Sequence, residues 1–181
     1  MQLTSQQELP ASQAQAWEAL NDTEVLKTCI PGCESITPTG ENQFEVLVTA
    51  AVGPVKAKFK GKLHLQDLKP PESYTIQFDG QGGAAGFGKG SAQVRLEPTG
   101  PASCTLHYTA NASVGGKIAQ IGSRLVDMAA QKMAGEFFTN FTAVLQERYA
   151  PPAAEAAPPA PPAPQGLVAR LLAWLKRLFG G

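Results

Sequence analysis

Between residues 55 and 65 the chain alternates with a period of two. Val55, Ala57, Phe59, Gly61, Leu63 and Leu65 form one phase, and Lys56, Lys58, Lys60, Lys62 and His64 form the other. A strand sends successive side chains to opposite faces, so this stretch folds as a strand with one apolar and one wet face. The pattern recurs in Phe44, Val46, Val48 and Ala50, in Tyr74, Ile76 and Phe78, in Ala92, Val94 and Leu96, and in Cys104, Leu106, Tyr108, Ala110 and Ala112. Short connections carrying Gly and Pro separate the runs, as hairpins require. Strands with one wet face imply a single antiparallel sheet covered on one side only.

The cover is the segment from about Lys117 to Arg148. Ile118, Ile121, Leu125, Met128, Phe137, Phe141 and Leu145 fall near helical spacing there, with no proline between them. Two short helices are expected earlier, Ala11 to Leu20 and Thr23 to Thr28, the second capped by Asn21-Asp22. The order is strand, two short helices, several strands, one long helix. That is an α+β domain over residues 1–149, in which a curved sheet grips a C-terminal helix.

Residues 150–165 hold seven Pro and seven Ala. Proline removes backbone donors and restricts the residue before it, so the segment reads as a semi-rigid spacer. Residues 166–181 form a third unit. At helical spacing Leu167, Val168, Leu171, Leu172, Leu175, Leu178 and Phe179 fill one broad arc, with Arg170, Lys176 and Arg177 opposite and Trp174 at the boundary. The stretch from Gly166 to Phe179 is too short to span a bilayer, but its composition suits a basic amphipathic helix lying in the membrane surface. Docking on its own domain or on a partner protein is the other reading.

Charge divides along the same lines. Residues 1–149 carry 12 basic and 14 acidic side chains, whereas the last sixteen carry three cations and no acid. Zero net charge overall argues against nucleic acid as a partner, because counterion release needs concentrated Lys and Arg. Three cysteines with no secretory signal fit a reducing, cytoplasmic setting.

Catalytic motifs are thin. Gly83, Gly88 and Lys89 have P-loop spacing, but Gly90 stands where Ser or Thr is needed. Ser91 to Glu97 alternates as a strand where a phosphate loop would open a helix, so a flexible hairpin loop is expected over Gly80–Gly90. His64 and His107 lie on wet phases. Cys29 and Cys33 lack the further ligands of a zinc site and suit burial better. The Lys56–Lys62 ladder reads as a solvated face that blocks edge association, or as a docking patch. No catalytic residue, metal site or covalently bound cofactor is expected.

Four stretches carry a family resemblance: Leu20–Glu34, with Cys29-Ile-Pro-Gly-Cys33 inside it; Val52–Gly61; Gly82–Ser91; and Val114–Leu125. Through them the first 147 residues resemble the CoxG family of carbon monoxide dehydrogenase subunits, within the START-like, helix-grip (SRPBCC) superfamily. The resemblance implies a seven-stranded antiparallel curved sheet wrapped around a long helix, enclosing an apolar cavity. It implies as partner a molybdenum-containing CO dehydrogenase or a related hydroxylase, and a role linking that enzyme to the membrane. Two functions follow as expectations. One is a non-catalytic carrier that takes a respiratory quinone, menaquinone or ubiquinone, from the cytoplasmic membrane to the dehydrogenase. The other is an adaptor or assembly factor without a ligand. A cyclase-like enzyme, as elsewhere in the superfamily, lacks a visible acid/base pair.

The apolar phases place the expected cavity between sheet and long helix. Its lining would be Phe59, Ile76, Phe78, Leu125, Met128, Met133 and Phe137, with Phe87 at its mouth. The methionines supply an adaptable surface, and Gly122, Ala129, Ala130, Ala134 and Gly135 leave the helix bare.

Overall fold

The computed structural model describes residues 1–149. In chain order the elements are β1 (Gln2–Leu9), α1 (Gln13–Leu20), α2 (Thr23–Cys29), β2 (Cys33–Gly40), β3 (Gln43–Val52), β4 (Val55–Lys69), β5 (Ser73–Gln81), a 3-10 turn (Gly83–Ala85), β6 (Phe87–Gly100), β7 (Ser103–Gly115), α3 (Lys117–Gln120) and α4 (Ser123–Tyr149). The seven strands form one antiparallel sheet ordered β1-β7-β6-β5-β4-β3-β2. From β2 to β7 the chain is a meander. β1 joins the far edge beside β7, so α1 and α2 carry the chain from one edge to the other. The α+β sheet-and-helix architecture is the expected one.

Local chemistry fixes the ends of the elements. Ser12 and Gln15 make a capping box at α1: the Ser12 hydroxyl accepts from the Gln15 N–H, and the Gln15 side chain accepts from the Ser12 N–H. Asp22 caps α2, accepting from the N–H groups of Glu24 and Val25 at 2.9 and 3.4 Å. β3 and β4 are joined through Gly53-Pro54, with Gly53 at φ +56°, a conformation that L side chains rarely adopt. This short loop pins the register of β3 against β4.

The hydrophobic core fills one end of the grip. Leu9, Tyr74, Val94, Leu96, Cys104 and Leu106 come from the sheet, Ala16, Ala19 and Leu20 from α1, Val25 and Cys29 from α2, and Phe141 and Leu145 from α4. Trp17 meets Tyr74 edge to face at 5.3 Å, and Phe137 stacks on Phe141 at 5.6 Å. The Asn140 side-chain amide donates to the Cys29 carbonyl oxygen at 3.1 Å, and Arg148 pairs with Asp22 at 3.0 Å. The C-terminal half of α4 is thereby bolted to α1, α2 and the sheet.

Burial opposes ionisation of Asp22, but the Arg148 guanidinium and the two backbone N–H groups outweigh it and hold the carboxyl below its ordinary value. A carboxyl with a depressed folded-state pKa contributes stability that is complete above its unfolded value and is lost as pH falls through the folded one. We expect Asp22→Ala to cost about 1 kcal/mol at pH 7, as a lost N-cap does. The cost should shrink as the pH is taken below 3.8, which urea melts at several pH values would check.

Two expectations need correction. The C-terminal helix is not continuous from Lys117. It breaks at Ile121-Gly122, where Gly122 has φ +99°, so α3 is a single turn and α4 starts afresh at Ser123. The glycine-rich stretch is not a loop from 80 to 90 either. Gly80 and Gln81 finish β5, and Phe87 to Gly90 already belong to β6. The Pro/Ala-rich linker 150–165 and the amphipathic helix 166–181 lie outside the described residues.

Candidate functional site

Beyond the core, the concave face of the sheet continues as rows of register partners. One row runs Phe44, Leu63, Phe78, Gly90, Ala112, and the next runs Val46, Gly61, Gly80, Gly88, Val114. Val48 pairs with Phe59 beyond them. Every side chain in these rows is apolar, and Phe44, Val48, Phe59, Leu63 and Phe78 are only half-buried. The second row places three glycines side by side on β4, β5 and β6. A Cβ built on Gly61 or Gly80 would find only backbone oxygens within 4 Å, the nearest at 3.7 and 3.6 Å. One on Gly88 would find only Val114, at 3.7 Å. No side chain of α4 comes within 4 Å of any of these three positions. The result is a flat stretch of bare backbone two strand spacings, roughly 10 Å, across. Glycine inside a strand weakens it and often marks close approach of a ligand or another backbone.

Of the expected lining, Phe59, Ile76 and Phe78 do lie on the concave face. The Phe59 ring covers Gly82, where a Cβ would collide with it, and Ile76 packs at the margin of the core. The helix contributes differently from expectation. Phe137 is tied into the aromatic core, and Met133 is half-buried one turn before it. Leu125 and Met128, however, are 42% and 56% exposed. On α4, unbroken from Ser123, the face aligned with Phe141 runs through Val126, Ala130, Met133 and Phe137, with Val126 buried. Leu125 and Met128 fall off that stripe.

Phe87 is also displaced from its expected place. It pairs with Gln81, which pairs with Lys60, so its Cβ belongs to the lysine face, and its ring covers Gly115. Ala134 and Gly135 line an open groove of about 750 Å³ between β1 and α4, with Leu3, Tyr108 and Phe138, away from the glycine strip.

The opposite face is wet. Lys58 pairs with Glu34 at 3.0 Å and Lys60 with Glu45 at 3.2 Å. A shallow polar concavity of about 1140 Å³ lies on this side, lined by Glu45, Lys62, His64, Gln77, Asp79 and Lys89 among others. Lys89 sits on a strand, not at a helix start, so it has no phosphate cradle around it. Among the described residues His64 shares a hydrogen bond with Gln66 and His107 with Glu97. Cys29 is buried, and burial pushes its thiol up to about 11, so it is un-ionised at neutral pH. Among the described residues no three His, Cys, Asp or Glu side chains come together in a metal-binding group.

A seven-stranded antiparallel sheet curled round a C-terminal helix, with an apolar concave face, defines a START-like helix-grip protein. The chain belongs to the CoxG family of carbon monoxide dehydrogenase subunits, whose profile matches residues 6–146. A conserved protein from Geobacillus kaustophilus is similar to it, with 29% identity, a TM-score of 0.77, and 81% of this chain and 96% of that one covered. A START superfamily protein from Mycobacterium smegmatis shares the fold at 13% identity and a TM-score of 0.64, over 81% of this chain and 97% of that one. So does the Zhui aromatase/cyclase from Streptomyces sp. R1128, at 13% identity and a TM-score of 0.62, over 83% and 97%. No curated protein sequence matches the chain.

Proposed function

We propose that the protein is a non-catalytic carrier for a respiratory quinone, menaquinone or ubiquinone, which it takes from the membrane to a molybdenum-containing CO dehydrogenase or related hydroxylase. The observation that carries this reading is the row Gly61, Gly80, Gly88 on an otherwise apolar concave face. A flat ring can lie directly on bare backbone there, flanked by Phe59 on one side and Leu63 and Phe78 on the other. Ligand pockets are mostly apolar with few polar groups, and the side chains of both rows on this face are apolar. The family's description, as a component of CO dehydrogenase, supplies the partner.

Delipidated full-length protein should be stabilised by a soluble short-chain quinone. Binding to the folded state alone adds about 2.7 kcal/mol at a hundredfold excess over Kd, which a thermal melt reads easily. No shift with either quinone class would contradict the carrier.

The amphipathic segment 166–181 is proposed as a peripheral anchor on the cytoplasmic membrane surface, through Leu167, Leu171, Leu172, Trp174, Leu175, Leu178 and Phe179 with Arg170, Lys176 and Arg177. No helix among the described residues is long and apolar enough to cross a membrane. Residues 1–149 hold a core of their own, so removing residues 150–181 should leave a folded domain that has lost most of its co-sedimentation with anionic vesicles. Undiminished sedimentation would refute the anchor.

The adaptor reading, a recruiter of the dehydrogenase with no ligand, draws on a different observation. The half of the grip around Phe141 and Leu145 is filled by the protein's own side chains, and a ligand-free protein would need the glycine half closed as well.

A further inference from the structure

Three loops converge at the end of the grip away from the core. The β3–β4 turn touches the helix junction: a Cβ on Gly53 would stand 3.6 Å from Cδ1 of both Ile121 and Leu125. The loop between β5 and β6 meets the end of β7, where a Cβ on Gly116 would lie 2.6 Å from the Gly86 Cα. The first turn of α4 completes the rim. This end presents large apolar side chains to solvent, namely Leu125, Met128 and, from the lysine face, Phe87 at 37% exposure. Its charge is one-sided. Across residues 51–56, 82–87 and 115–128 the cations are Lys56, Lys117 and Arg124, all exposed, and the one acid is Asp127. None of the three cations makes an ion pair among the described residues.

The geometry points to this loop end as a second membrane-docking surface, on the folded domain itself, whose partner is an anionic bilayer. Leu125 and Met128 are one helical turn apart and enter the interface together, while the cations sit at headgroup level, where an anionic surface attracts them. Three cations and two or three apolar side chains give a weak, reversible contact. Its purpose rests on the carrier reading: it turns the rim of the glycine strip toward the lipid that holds the ligand.

The test uses the full chain with Cys33→Ser, which leaves only the two buried thiols, and an environment-sensitive fluorophore on Met128→Cys. A control carries the label on Glu147→Cys, about 28 Å further along α4 at 1.5 Å per residue. On phosphatidylglycerol-containing vesicles the label at 128 should shift to the blue and brighten, and the label at 147 should not. Neutral phosphatidylcholine vesicles should give little response. The triple variant Lys56→Gln, Lys117→Gln, Arg124→Gln should lose the response at 128, as should 1 M salt, which shortens the Debye length to about 3 Å. An unchanged label at 128 on vesicles that sediment the protein overturns the surface. Extractable quinone alongside that negative result leaves the carrier standing, whereas a blue shift at 128 in a protein that never binds quinone upholds the surface and refutes the carrier.

Discussion

Gly80→Leu should empty the protein of its ligand and leave its melting temperature nearly unchanged. Gly80 lies near the end of β5, and its φ is outside the left-handed region, so a side chain brings no backbone strain. The Cβ meets only the Gly88 carbonyl oxygen, at 3.6 Å, and the rest of the side chain should lie over the glycine strip. A Cβ meets no clash there, and removing glycine from a strand recovers roughly 0.5–1 kcal/mol of backbone entropy. For a ring lying on the strip the same group is a steric block, so quinone affinity should fall at least tenfold, about 1.4 kcal/mol. Gly90 is the control. It belongs to the adjoining row, but a Cβ there would come within 2.8 Å of the Ala112 Cα, on backbone that cannot yield. Gly90→Leu should therefore destabilise the fold outright. Calorimetric titration with a quinone analogue, paired with thermal melts of both variants, separates them. Equal damage to stability at 80 and 90 would mean that the strip is packed rather than open.

Phe141→Ala should produce the largest loss of stability of any single truncation in α4. Phe141 is fully buried, stacks on Phe137 and sits where α4 meets the α1, α2 and sheet contributions to the core. Phenylalanine-to-alanine changes in cores cost about 3–5 kcal/mol, because the cavity adds to the lost transfer energy. Against a total stability of about 5–15 kcal/mol, that should lower the melting temperature by roughly 10 °C or more. Met128→Ala, in the second turn of the same helix, should cost under about 0.5 kcal/mol because its side chain is mostly in water. The contrast measures how far α4 is divided between a structural half and a half left to function. Similar costs at 128 and 141 would refute that division.

The contrast also marks where the sequence is legible. Period-two alternation identifies five strands because their faces differ sharply in polarity. Edge strands give a fainter signal: β1 reads Gln-Leu-Thr-Ser-Gln-Gln-Glu-Leu, and β2 contains Pro38 and two register shifts, so neither shows a clean apolar phase. Helical spacing finds Phe137, Phe141 and Leu145, since they share one face of α4. The same spacing fails for Leu125 and Met128: Met128 stands nine residues before Phe137 on the same helix, half a turn out of phase at about 100° per residue, and only the run from Ile118 and Ile121 crosses the break at Gly122. Phe87 is misplaced because counting the Gly80–Gly90 stretch as loop discards its strand phase. The glycine strip escapes notice although Gly61 belongs to a visible apolar phase. Its signal is cross-strand: Gly61, Gly80 and Gly88 are neighbours only once two hairpin registers are known, and register is set by turn geometry that lies outside each strand.

A carrier must hold a quinone on its concave face as it comes from the cell. Full-length protein, purified without detergent and extracted with organic solvent, should release one respiratory quinone in near-stoichiometric amount, and the Gly80→Leu variant should release almost none. Extracts of both proteins free of quinone, from cells that make it, would contradict the carrier.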